Sequence, residues 1–174
     1  MPKLNRDIAR ANLVLLGEAP GNYPKYDHKR HALFPYPPRC AGARLKDLMG
    51  MSMGEYIRLT RRNLLDFHPG FTGKGAKFPI KVAREAVEAA GPWMIGTNVL
   101  IVGKRLSRAF GYQDHDIMHW HHQKDFNFAI VPHPSGVNLW WNVEYNRNAG
   151  RVFLESVAEQ ARAGAQSFVN PGAR

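Results

Sequence analysis

The chain has 174 residues and a formal net charge of +10, from 24 Lys and Arg against 14 Asp and Glu. That length suits a single domain, 1–174, with its own core; 44% hydrophobic and 22% charged residues is the balance of a globular chain rather than a disordered one. No apolar run reaches the roughly 18 residues that span a bilayer, the start Met1-Pro2-Lys3-Leu4-Asn5-Arg6 is too polar for a secretory signal, and the single Cys40 excludes an intrachain disulfide and any four-cysteine zinc or iron–sulfur site.

Taken in chain order, Asn12-Leu13-Val14-Leu15-Leu16 is a short apolar run closed by Gly17 and reads as a buried strand. Residues 17–38 hold two glycines and five prolines and form a loop. A helix is predicted over 41–49 with Gly50 as its stop. Ser52-Met53-Gly54-Glu55 has capping-box spacing and should open another helix. Asn63-Leu64-Leu65-Asp66-Phe67 reads as a second strand, and the stretch from His68 to Phe78 as a glycine-rich loop. Apolar spacing at Val82, Ala83, Ala86 and Ala90 predicts a helix that Gly91-Pro92 ends. Asn98 to Val102 is a third strand, with Gly103 opening a helix to about Phe110. A fourth strand covers 126–131, a last helix 144–163, and 166–174 reads as a frayed tail.

Strands alternating with helices predict an α/β fold: a three-layer αβα arrangement around a central, mostly parallel four-stranded sheet. Ligands of such sheets bind beyond the carboxyl ends of the strands. The loops after Leu16 and after Val131 therefore matter most. The charge points to a polyanionic partner, nucleic acid first, because self-repulsion of this size does nothing for the fold itself. Between Lys25 and Arg62 nine Lys and Arg stand against three Asp and Glu, which favours a basic face.

The first of those loops is Gly17-Glu18-Ala19-Pro20-Gly21; the second is His133-Pro134-Ser135-Gly136-Val137-Asn138. In this order, about 110 residues apart and each after an apolar strand, the pair resembles the two signature motifs of the uracil-DNA glycosylase superfamily. The first motif is similar to that of the thermophile-type iron–sulfur branch, whose cluster this chain cannot ligate with one cysteine. Phe34-Pro35 and Gly42-Ala43-Arg44-Leu45 are similar to the segment that follows the first motif, and Val99 to Lys104 to the third strand and its turn. The likeness covers roughly residues 11 to 160. Each motif alone is short; order, spacing and strand context supply the specificity. The loop His68 to Gly75 lacks the family's usual Lys-Cys-Arg-Pro-Pro run, so the preferred base could be hydroxymethyluracil or another modified pyrimidine.

The resemblance implies a DNA glycosylase that extrudes a nucleotide and hydrolyses its N-glycosidic bond. Breaking that bond builds positive charge on the sugar and negative charge on the base, so the site must clamp the base, stabilise its anion and guide water. The resemblance places His133 to donate to the base O2 and Glu18 to orient water or stabilise the sugar cation. A carboxylate suits both tasks, and a neutral imidazole suits the first. Asn63 carries the donor and acceptor that match the O4 and N3–H edge of uracil. Gly17, Ala19, Tyr23 and Phe34 would line the base, with Phe34 stacking and Tyr23 blocking a thymine methyl. Gly21, Arg44, Ser135, Gly136 and Asn138 would hold phosphates, with Lys104 and Arg147 as further cations. The stretch Val137 to Trp141 lies where the superfamily inserts a wedge, with Trp140 as a contact and Trp141 as an anchor for the last helix.

Each has a bland counterpart: a histidine fixing its turn, a carboxylate capping local amides, aromatics in small core clusters, ordinary solvated charges. Asp114-His115-Asp116 with His119, His121 and His122 only partly meets zinc spacing and reads as a histidine-rich loop facing DNA rather than a metal centre. The expectation is therefore a monomer acting on DNA in the cytoplasm or nucleoid, with no cofactor and no membrane. An inactive DNA-binding protein of the same fold, or an enzyme of base hypermodification using the same pocket, are the rivals.

Overall fold

A computed structural model describes residues 12–18, 32–68, 78–112 and 116–169, the last four by backbone alone. In chain order the elements are strand β1 (Asn12–Gly17), helices α1 (Ala41–Leu48) and α2 (Met53–Arg58), strand β2 (Thr60–Asn63), a 3-10 turn (Leu64–Phe67) and helix α3 (Ile80–Met94). Strand β3 (Thr97–Val102), helix α4 (Lys104–Ser107) and strands β4 (Trp120–His122) and β5 (Asn127–Val131) follow. A second 3-10 turn (Leu139–Asn142) and helix α5 (Glu144–Val169) close the described chain.

The sheet has five strands in the order β2-β1-β3-β5-β4. Four run parallel, and β4 is antiparallel to β5 at one edge, Trp120 opposite Ala129 and His122 opposite Asn127. The sequence predicts four strands; β4 escapes it because three half-exposed residues, Trp-His-His, carry no apolar alternation. Part of the expected histidine-rich loop is thus an edge strand.

The three inner strands are buried on both faces, which is why they read as apolar runs. Leu13, Leu15, Leu100, Val102, Ala129 and Val131 join one core with Leu45 of α1 and Met49 just after it, Tyr56 of α2, and Leu154 and Val157 of α5. Leu16, Val99, Ile101, Phe128 and Ile130 join a second with Ala83, Ala86, Ala90 and Met94 of α3 and Leu106 of α4. The sheet is therefore flanked by helices on both sides.

The local signals for α1 and α2 hold. Gly50 has φ +60, the left-handed value that ends α1, and the Ser52–Glu55 capping box is complete in both directions. Four boundaries shift. The predicted strand over Asn63–Phe67 is a 3-10 turn after Asn63; Leu64 and Leu65 turn down to the α3 core, and the polar Thr60–Asn63 pairs with β1 instead. Helix α3 runs through Gly91-Pro92 to Met94, whose burial at 1% exposure anchors the final turn against the cost of the missing proline N–H. Helix α4 stops at Ser107, short of Phe110, while α5 continues past 163 to Val169. Among the described residues no helix is long and apolar enough to cross a membrane.

Candidate functional site

The strand order reverses direction about β1: the chain passes from β1 to β2 on one side, then crosses to β3 on the other. Such a reversal opens a crevice beyond the carboxyl ends of the parallel strands. Four of this chain's strands finish there. Gly17 ends β1 beside Asn63, which ends β2, and Val102 ends β3 beside Val131, which ends β5. Glu18, Gly103 and His133 follow directly or nearly so.

Asn63 is the polar residue at the base of this arrangement, 3% exposed. Its side chain lies across Gly17, where an added Cβ would stand 2.9 Å from Asn63 Oδ1 and 3.3 Å from Leu33 Cγ. Gly17 is thus the residue that lets Asn63 fold over the end of β1. The amide nitrogen Nδ2 of Asn63 is buried and has no hydrogen-bond partner among the described residues. Buried donors are nearly always satisfied, so this one, like Arg61 Nε and Trp120 Nε1, calls for a partner that the described residues do not supply.

Leu33 and Phe34 come over the same strand ends. Their backbone is pressed onto the start of α1: a Cβ at Gly42 would collide with both carbonyl oxygens. The Tyr56 hydroxyl donates to Leu33 O (3.1 Å) and the Cys40 thiol to Phe34 O (3.2 Å). Leu33 is held at φ +49, a costly region for leucine. The Phe34 ring is 37% exposed, and the Arg61 guanidinium lies 5.8 Å from its centroid and 5.6 Å from that of Tyr56.

On the other side of β1, Arg105 Nη2 donates to Glu18 Oε1 at 3.0 Å, while Glu18 O accepts from the Leu65 amide. Gly103 has φ +122, and a Cβ there would stand 3.9 Å from His133 Cβ, so the histidine packs over the turn after β3. Burial, and second the Arg105 cation, hold the His133 imidazole below the usual histidine range. The ring is therefore neutral at neutral pH. The loop that carries it is clamped from behind: Asn138 Nδ2 and Trp141 Nε1 both donate to His133 O, at 2.8 and 3.1 Å. Trp141 packs in turn against Gly150 of α5, where a Cβ would come within 2.6 Å of the indole.

Glu18, Asn63 and His133 thus lie at one end of the sheet, with Gly17 beneath them and Phe34 beside them. Arg44 reaches from α1 to the second loop; its Nε donates to Arg39 O, and its guanidinium lies flat on Gly136, 2.8 Å from where a Cβ would be. Ser135 is half-buried and its carbonyl accepts from the Asn138 amide. Asn138 uses its own amide group inside the loop, accepting from the Trp140 N–H as well as donating to His133 O, so it serves that loop's shape. Trp140 is half-buried and meets Trp141 edge-on at 4.7 Å. The apolar side chains that this loop exposes are Val137 (87%) and Leu139 (74%). Lys104 is half-buried and Arg147 exposed on α5. Ala19, Gly21 and Tyr23, like Asp114 and His115 of the histidine-rich stretch, lie outside the described residues.

His119 and His121 stand 4.2 Å apart by ring centroid, but each directs a ring nitrogen at a backbone carbonyl, of Ile117 and Asp116 respectively. His122 bonds Asn127, which bonds Asn98, across the amino-terminal ends of β5 and β3. Among the described residues no group of three His, Cys, Asp or Glu could hold a metal ion.

Sequence reasoning missed Arg105 and Arg61. Neither sits in a motif. Arg105 shows itself only as a basic residue two places after the glycine that follows β3, and nothing local pairs it with Glu18, 87 residues earlier. No protein-family model matches the chain, and no curated protein matches it significantly.

Proposed function

We propose that this protein binds DNA, receives an extruded nucleotide at the carboxyl ends of its parallel strands, and hydrolyses the N-glycosidic bond of uracil or a related modified pyrimidine. The observation that carries this reading is Asn63: a buried side-chain amide whose donor has no partner among the described residues, lying across Gly17 and at the same strand ends as His133. A pyrimidine edge offers the acceptor that this donor lacks and a donor for its Oδ1. The uracil-DNA glycosylase-like arrangement of three layers belongs to the same proposal, supported by helices on both faces of the sheet and by the two motif loops at one end of it.

The chemistry follows from charge. The C1′–N bond breaks and its electron pair leaves on the base; the growing negative charge on O2 accepts a hydrogen bond from the neutral imidazole of His133. Water adds its oxygen to C1′ and loses a proton to Glu18, whose carboxylate also faces the sugar cation. The base anion takes its proton from solvent. Phe34, with one face toward the Arg61 cation, supplies an aromatic surface for stacking. Val137 and Leu139 are exposed apolar groups on the His133 loop, suited to fill the gap a flipped base leaves. The net charge of +10 and Arg44 beside Gly136 favour the phosphate backbone.

The test is incubation of the purified protein with uracil-, hydroxymethyluracil- and hypoxanthine-containing oligonucleotides, then alkaline cleavage at abasic sites. Cleavage at uracil or hydroxymethyluracil is expected, and His133→Ala should cut turnover far more than DNA binding. Tight DNA binding with no abasic sites on any substrate would overturn the reading in favour of a binding protein.

A further inference from the structure

We propose that Arg105 is a positioning residue that couples Glu18 to His133: its guanidinium holds the carboxylate, and its helix starts from the Gly103 turn over which His133 packs. This rests on the reading of Glu18 and His133 as the reacting pair, and it adds a residue that no motif contains.

Three features place Arg105. Gly103 N–H donates to Val131 O at 2.8 Å, tying the turn after β3 to the end of β5, which leads into His133. Leu106, fully buried, pins α4 on the α3 side of the sheet. The Phe78 ring lies 5.8 Å from the guanidinium carbon and limits its swing. From there Nη2 reaches Glu18 Oε1 at 3.0 Å. The pair is partly solvated, with 58% of the Arg105 side chain and 23% of the Glu18 side chain exposed. Such pairs add little to stability, so the consequence of this one is where it holds the two charges.

The charged groups around His133 are few among the described residues. Arg105 comes from α4, Glu18 from the end of β1 through Arg105, and Arg44 from α1 at Gly136, three residues further along. Of these Arg105 is the one whose charge acts on the imidazole, in the same direction as burial. Protonating His133 would set a second cation beside the first, so Arg105 favours the neutral ring. The same cation adds to the field that stabilises a base anion. Glu18, held by one oxygen, keeps the other for water.

The experiment compares wild type with Arg105→Gln, Arg105→Lys and Glu18→Gln in the full chain. The first readout is the His133 ring titration by NMR. Arg105→Gln should move its midpoint up, Arg105→Lys should restore it toward wild type, and Glu18→Gln should move it down by leaving the cation uncompensated. The second readout is excision from a uracil-containing oligonucleotide. Arg105→Gln should lower kcat by about tenfold or more, with KM changed less, and the acid limb of its pH–rate profile should move with the NMR midpoint. Arg105→Lys should recover most of the rate. A His133 midpoint unmoved in both Arg105→Gln and Glu18→Gln overturns the coupling. If wild type excises no base, the glycosylase reading fails while the titration still decides the Arg105–His133 coupling by itself.

Discussion

Replacing Asn63 with leucine should leave the protein folded and make it inactive. Asn63 is 3% exposed, and its Nδ2 has no partner among the described residues. A buried donor left without a hydrogen bond costs about 1–3 kcal/mol. Leucine keeps the γ-branching of asparagine and has no polar atoms, so it removes that cost without opening a cavity. Its two methyl groups are bulkier than the amide oxygen and nitrogen, and crowding them against Leu33 and Gly17 costs about 1–3 kcal/mol in the opposite direction. For a chain of this size each kcal/mol shifts Tm by about 2–4 °C. Asn63→Leu should therefore keep Tm within about 8 °C of wild type, read by calorimetry or circular dichroism, while excision of uracil falls by about 100-fold or more because the donor to the base is gone. Excision at the wild-type rate by the folded variant would refute the reasoning, because it would mean that Asn63 does not meet the base.

Three further outcomes follow from the same geometry. Gly17→Ala puts a Cβ 2.9 Å from Asn63 Oδ1 and 3.3 Å from Leu33 Cγ; displacing Asn63 by a few tenths of an ångström should slow excision about 10- to 100-fold, and a variant as fast as wild type would place the reading edge elsewhere. Combined Val137→Ala and Leu139→Ala substitutions remove exposed groups, so stability should stay within about 0.5 kcal/mol of wild type, while duplex substrates lose more rate than single-stranded ones; equal losses would remove the wedge role. The Glu55 carboxyl is pulled from 4.5 to about 2, first by its hydrogen bond from Arg162 and then by the Ser52 amide. A depressed folded-state value stabilises above the unfolded value and is lost as pH falls through the folded one, so Tm of wild type should drop between about pH 5 and pH 2, and Glu55→Gln should flatten that drop. The effect is modest because the Glu55–Arg162 pair is partly solvated, and superimposable profiles of the two proteins would show that the pair does not couple to folding.

Part of the candidate site is legible without coordinates because strand-end placement is local. Gly17-Glu18 and His133 each follow an apolar run, and in a parallel sheet the residue after such a run stands at the binding edge. Asn63 could be picked out as a polar residue beside apolar neighbours, although its strand lies before it rather than after it. Trp140 and Asn138 show what residue type leaves open: both are half-buried, Trp140 meeting Trp141 edge-on and Asn138 donating to the His133 carbonyl. The loop's exposed faces fall instead to Val137 and Leu139, a matter of turn geometry that residue type does not encode.

What the sequence alone determined is whatever depends on neighbours a few residues away. The inner strands are apolar throughout because both of their faces are covered, the Ser52–Glu55 cap is a reciprocal pair three residues apart, and Gly50 supplies the left-handed turn that ends α1. Tertiary structure decided the rest. It made an edge strand of Trp120–His122 by offering it β5, took Thr60–Asn63 rather than Asn63–Phe67 into the sheet because Leu64 and Leu65 were needed under α3, and carried α3 past Pro92 because Met94 had a core to enter. It also set Arg105 against Glu18. Contacts between residues far apart in the chain exist only once the core has closed, and no local pattern of residue types specifies which of many such pairs will form.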